Sequence, residues 1–254
     1  MLALKLTLTP LLIGAVSLAG RRWGPAISGW LVGLPLTSGP MVFFLALEQG
    51  HEFAAQTVRG TLLGLVSLAA FCLVYAWVAA TSGWLASTLA GWSAYFVVTL
   101  LLNRVQTSLL VSFSAAVATL AVCLAFFPQT TAARPTTQPP RWEIPLRMVA
   151  ATALVLGLTA AARTLGPQLS GLLTPFPAYA TILAGFTHAF DSGAAAARLL
   201  RGVVTGTFSF ALFFLVVGGV IERWGLAAAF TSAVFAALVT HGISLARIDR
   251  PRST

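Results

Sequence analysis

This chain contains itself twice, at an offset of 142 residues. Gly24-Pro25 matches Gly166-Pro167, Ser28-Gly29 matches Ser170-Gly171, Pro35 matches Pro177, and Arg59-Gly60 matches Arg201-Gly202. Gly64, Ser67 and Gly83 match Gly206, Ser209 and Gly225 in the same register. So many backbone-shaping residues in one register mark two copies of one folding unit. Lys5 pairs with Arg147, which sets the start of each copy at its first apolar run. The organisation is then 1–104 for repeat one, 105–143 for a linking span and linker, and 144–254 for repeat two with a basic tail.

The material between the matched breaks is apolar. A helix that crosses a bilayer needs roughly 20 mostly apolar residues, and the chain divides into nine such runs, near 3–20, 25–47, 57–79, 83–102, 106–127, 145–162, 167–188, 199–220 and 225–245. Hydrophobic residues make up 58% of the chain and charged ones only 8%, where a soluble domain keeps roughly a quarter charged. The expected fold class is therefore all-α, a polytopic membrane protein whose first partner is the lipid bilayer. A net charge of +9 does not argue for nucleic acid, because no basic stretch is interleaved with the polar residues that would track a phosphate backbone. The segment 128–141, rich in proline and threonine, reads as an extended aqueous linker.

Each repeat holds four spans, and the fifth run connects them. Five crossings then precede the second repeat, so it enters the membrane from the opposite side, as an inverted-topology repeat. Were 25–47 and 167–188 re-entrant loops instead, the repeats would be parallel. Arg21, Arg22, Arg134, Arg141, Arg147, Arg198, Arg201, Arg247, Arg250 and Arg252 fall on one side, against Lys5, Arg59, Arg104, Arg163 and Arg223 on the other. That bias predicts a multi-pass protein of the cell inner membrane with a cytoplasmic carboxyl terminus.

Spans two and seven carry the strongest functional signal. Proline in mid-span removes a helix donor and clashes with the preceding turn, so Pro35 and Pro177 predict broken helices and free carbonyls at membrane depth. Such groups are tolerated only where protein, hydroxyls or a water-filled cavity satisfies them. The residues expected to line a solute or ion site are Ser28, Pro35, Thr37, Ser38, Gly39, Ser170, Pro177, Tyr179 and Thr181, with half-helix dipoles adding to the field. Just beyond the breaks, Glu48, His51 and Glu52 in the first repeat and His188 and Asp191 in the second are candidates for proton or ion coupling, since imidazole titrates near neutrality. The plainer reading makes both clusters interfacial loops facing water.

Several readings concern packing. Gly60 with Gly64 and Gly202 with Gly206 are four apart, a spacing that lets another helix approach closely. Ser67 and Ser209 are candidates for interhelical hydrogen bonds, and His241 aligns with Thr99. Cys72 and Cys123 lie inside apolar runs and read as packing residues. With a single lysine there is no phosphate-binding loop of the usual kind. No metal-ligand spacing or nucleophile elbow occurs either, so neither an enzyme nor a cofactor or metal is expected.

The run Ser170-Gly171-Leu172-Leu173-Thr174-Pro175-Phe176-Pro177-Ala178-Tyr179-Ala180, followed by Asp191-Ser192-Gly193 and Arg201-Gly202, resembles the GlpM family of small bacterial inner-membrane proteins. Members are about one repeat long, so this chain is similar to a fused pair. The family pattern has an alanine–histidine step nearer the proline than His188, where this chain has Ala184. The resemblance implies a four-helix unit that pairs antiparallel, and no particular substrate. Two functions follow from the residues. One is a small secondary transporter or permease for an unknown solute or ion; the other is a non-transporting accessory or scaffold protein for envelope or polysaccharide assembly. Homodimer formation is compatible with both.

Overall fold

A computed structural model describes residues 2–36, 38–129, 140, 142–162 and 175–248. Among these residues the fold is helical throughout, with no strand. The helices are α1 (Leu2–Trp23), α2 (Pro25–Val32), α3 (Ser38–Gln49), α4 (His51–Val78), α5 (Trp84–Leu102), α6 (Leu109–Ala125), α7 (Glu143–Ala162) and α8 (Ala178–Phe190). The stretch Gly193–Ile248 is broken at Gly225, with φ 75° and ψ 177°, into α9 (193–224) and α10 (226–248). An L side chain rarely adopts such a φ, so glycine here is what allows the turn.

Both halves turn at the matched glycines. Thr99 donates to Ser67 Oγ at 2.9 Å, and Ser209 Oγ lies 2.9 Å from His241 Nδ1. Each partner sits sixteen residues from Gly83 or Gly225, so α4 folds back on α5 as α9 folds back on α10. The serine expectation holds in both copies and at the same place. Helix starts follow the register too, with α4 and α9 beginning at His51 and Gly193, and α5 and α10 after Gly83 and Gly225.

Two pairs of equivalent helices, α1 with α7 and α4 with α9, pack on each other and run in opposite directions. In the α1–α7 pair, Gly14 lies against Met148, while Arg21 near the other end of α1 reaches Glu143 at the start of α7. In the α4–α9 pair, Val58 faces Gly218 and Ala79 faces Gly193. Helix α6 lies against both α4 and α9, where Cys123 donates to the Ala69 carbonyl at 3.5 Å and both cysteines are buried and free.

Three described stretches are long and apolar enough to cross a membrane: Glu52–Val78, Trp84–Leu102 and Gly193–Leu245. The last holds two helices because of the Gly225 turn. The expectation of about nine crossings is met only in part, since α2 and α3 have 8 and 12 residues, and each falls short of the roughly 20 that a crossing needs. Outer helices α5 and α10 expose large apolar side chains, including Leu89, Val97 and Leu101 on one and Phe235, Val239 and Ile243 on the other. A water-facing helix would not carry such a face.

The tightest contact joins α2 to α9. A β-carbon placed on Gly29 would lie 1.8 Å from the Leu199 carbonyl oxygen, and one on Gly206 would lie 2.3 Å from that of Trp30. Gly202 likewise meets the Ala26 carbonyl. The glycine spacing at 202 and 206 thus serves close backbone packing, as the sequence predicts, and its partner is a second glycine pair on α2, Gly29 and Gly33.

Candidate functional site

The two breaks meet in the interior. Helix α2 ends at Val32, residues 33–36 are non-helical, and α3 starts at Ser38. In the second half, residues 175–177 are non-helical and Pro177 caps α8. Proline explains the stop of α2 and suits the start of α8, because its ring cannot continue a preceding helix but is tolerated where one begins. Between the breaks lies a cavity of about 70 Å³. Its wall includes Gly33, Leu34, Leu36 and Ser38 from the first break and Pro175, Phe176, Pro177 and Tyr179 from the second, closed by α1, α4 and α9.

The cavity is small and mostly apolar, and two of its polar side chains are already engaged. Tyr179 donates from its hydroxyl to Thr9 Oγ1 at 3.1 Å, tying α8 to α1. Thr207 donates to the Val203 carbonyl at 2.7 Å. Ser38 is 6% exposed and opens α3. Helices α3 and α8 both begin at the cavity, so two helix N-termini, each with a partial positive charge, face it. No charged residue is among the described lining.

A second pocket, of about 400 Å³, lies on the outer side of the first break. Leu34, Pro35, Gly39, Phe43, Phe213, Phe230, Val234 and Leu238 are among its walls, whose described residues carry no polar side chain.

Of the site residues expected from sequence, Ser38, Pro177 and Tyr179 line the cavity, whereas Pro35 and Gly39 line the outer pocket. Ser28 is buried at the α1–α2 contact, beside Gly20. Thr181 accepts from Trp92 Nε1 at 3.1 Å, so its hydroxyl braces α5 against α8. Thr37 and Ser170 lie outside the described residues.

The ionisable clusters sit away from the cavity. Glu48 is ten residues along α3 from Ser38, which is about 15 Å at 1.5 Å per residue. Glu48 and Glu52 are exposed, and the side chain of His51 lies outside the described residues. His188 Nδ1 is 3.4 Å from the Tyr75 hydroxyl, and Asp191 accepts from Ser192 at 3.5 Å. Both clusters therefore occupy the turns at the far ends of α3 and α8.

Two buried polar arrangements escaped the sequence reading. Glu143, 1% exposed, binds Arg147 one turn on and Arg21 of α1 at 3.1 Å. Arg147 also reaches Thr187 at 3.5 Å and covers the Phe186 ring at 5.5 Å. Glu143 stands at the edge of an apolar run, where a carboxylate reads as interfacial; the spacing of four from Arg147 was the available signal. The other is His241, stacked on Trp30 with ring centroids 3.8 Å apart. Its alignment with Thr99 hinted at the serine contact, but nothing local pointed to Trp30, 211 positions away.

Among the described residues no group of three or more His, Cys, Asp and Glu side chains could hold a metal ion. Comparison of the chain with protein-family models, with curated proteins and with solved structures returns no match.

Proposed function

We propose that this protein is a small secondary transporter or permease of the bacterial inner membrane, with its solute site in the cavity between the two breaks. The observation that carries the reading is the meeting of two non-helical stretches, 33–36 and 175–177, around one internal space, with two helix N-termini facing it. Interrupted helices at a repeat interface are the usual way a transporter builds a site without exposing backbone to lipid. A volume of about 70 Å³ suits an ion or a solute of a few heavy atoms, and the helix N-termini favour an anionic or hydrogen-bond-accepting one.

The chain is, on this reading, two fused GlpM-like units of inverted topology. Antiparallel packing of α1 on α7 and of α4 on α9 supports it, because a half-turn about an axis in the membrane plane reverses equivalent helices. Rocking of one half on the other about this axis would expose the cavity to each side in turn. An excess of arginine on one side supports a cytoplasmic carboxyl terminus.

The mostly apolar cavity wall favours the alternative, an accessory protein for envelope assembly that transports nothing. Solute uptake by the reconstituted protein separates the two. Ser38→Ala with Tyr179→Phe should lower uptake of a small anion at least tenfold while the protein remains folded. Uptake unchanged in that variant would remove the site, and a wild-type protein that moves no solute would favour the accessory role.

A further inference from the structure

We propose that His241 is a proton-binding site coupled to the first break through Trp30. The proposal rests on the transporter reading for its purpose, and on the geometry of one helix junction for its chemistry.

The ring of His241 is 4% exposed and lies where α2, α9 and α10 meet. Ser209 Oγ is 2.7 Å from the Gly206 carbonyl, which takes its only proton. At its 2.9 Å contact with His241 the hydroxyl is therefore the acceptor, and Nδ1 carries the hydrogen. That tautomer leaves Nε2 as a bare lone pair, and Nε2 is a buried atom with no hydrogen-bond partner among the described residues. That lone pair can take a proton only when water reaches it, which requires the junction to open.

Protonation changes what the ring does. Trp30 lies over it at 3.8 Å and 15°, and an imidazolium is attracted to an indole face. The new Nε2–H meets no acceptor among the described residues, so α2 must shift or the junction must admit water. At this junction Trp30 donates from Nε1 to Ser244 of α10 at 2.8 Å, while the glycine contacts join α2 to α9 and Ser28 packs it against α1. The last residue of α2, Val32, and the following Gly33 form part of the central cavity wall. A proton on His241 thus acts on the same short helix that shapes the solute site.

Other charged groups around the junction are few. Helix α2 has no titratable residue. On α9, Arg201 precedes Ser209 by eight residues, or about 12 Å along the axis, and Arg198 is one turn further. On α1, Arg21 is held by Glu143 and Arg22 lies over Trp23 at 5.4 Å. On α10, Arg247 follows His241 by six residues. The second half's junction has an internal control in the first, where Thr99 stands at the position of His241 and donates to Ser67. The same hairpin therefore packs without an imidazole.

The test uses the full chain in lipid nanodiscs. Tryptophan emission of the wild type should change reversibly on acidification from neutral pH. His241→Thr and Trp30→Phe should each lose that transition, and His188→Gln should keep it. Histidine ¹⁵N resonances of the wild type supply a second measurement should His241→Thr fail to fold. Nε2 of His241 should give an unprotonated signal at neutral pH and a protonated one in acid. An emission transition that persists in His241→Thr, or an Nε2 that stays in one state throughout, overturns the proposal. Reconstituted His241→Thr should lose the pH dependence of uptake. A wild type that shows the emission transition but moves no solute would overturn the transporter reading and leave the proton site standing.

Discussion

The two flanks of the molecule are built on the same backbone unit and finished differently. On one flank, α5 closes on the second break with Trp92, Tyr95 and Phe96, whose rings lie 5.9, 5.2 and 5.9 Å from Phe176. On the other, α10 meets the first break with Val234, Ala237 and Leu238, and Leu34 stands where Phe176 stands. A pocket of about 400 Å³ is left there. Trp92 also donates to Thr181, and the position equivalent to Thr181 is Gly39, which has no hydroxyl to offer. Hydrophobicity is alike on the two flanks, while side-chain volume and one hydrogen bond are not. Side-chain volume thus wedges the second break and leaves space beside the first.

The largest effect should come from the first helices of the two halves. Helix α7 carries the buried Glu143 that joins Arg147 to Arg21, whereas the first repeat has Met1 and Lys5 at the matching positions. Glu143→Gln leaves two arginines close together with their acid partner gone. Removing one partner of a buried ion pair costs about 3–5 kcal/mol, and the loss should appear as a lower unfolding temperature in detergent. Lys5→Ala should cost far less; equal losses would break the comparison.

Next in size is the aromatic wedge. Phe176→Ala should destabilise the protein by about 3 kcal/mol, within the usual range for deleting a packed phenyl ring. Leu34→Ala, beside the open pocket, should cost about 1 kcal/mol, because fewer contacts are lost where packing is already incomplete. Denaturant titration of both variants checks the ratio.

Filling the pocket sharpens the same point. Val234→Trp with Leu238→Phe copies the first half's residues into the second and should stabilise the protein by about 1 kcal/mol, the order of an added aromatic pair. If the first break must move for transport, the filled variant should also lose most uptake while melting higher. Higher stability with full uptake would show that the pocket is incidental.

The smallest effect concerns the hairpin bonds. Ser67→Ala should cost about 1 kcal/mol through the loss of the Thr99 bond, with no dependence on pH. Ser209→Ala should cost a similar amount near neutral pH, and this cost should change on acidification as His241 gains its proton. Unfolding midpoints across pH, compared for the two variants, test the difference.

Much of this architecture was legible before any coordinates. In the 142-residue register the glycines at 83 and 225 predicted where each hairpin turns, and Pro35 predicted the break after α2. Those features are local, because glycine and proline act through the backbone of the residues beside them. The serine bonds were foreseeable because matched positions in a repeat inherit the same neighbour. What a hydroxyl or a carboxylate does is different, since it depends on what approaches from elsewhere in the chain. Thr181 braces α5 through Trp92 instead of lining the cavity, and Ser28 packs beside Gly20. Glu143 finds Arg21 across 122 residues, and His241 stacks on Trp30 across 211. The sequence by itself determined that the chain is helical and apolar and where the two hairpins turn, through short-range backbone chemistry and runs of apolar residues. Only the tertiary structure decided which flank is wedged and which polar atom is left without a partner, because cavities and orphaned lone pairs arise from the fit between side chains distant in the chain.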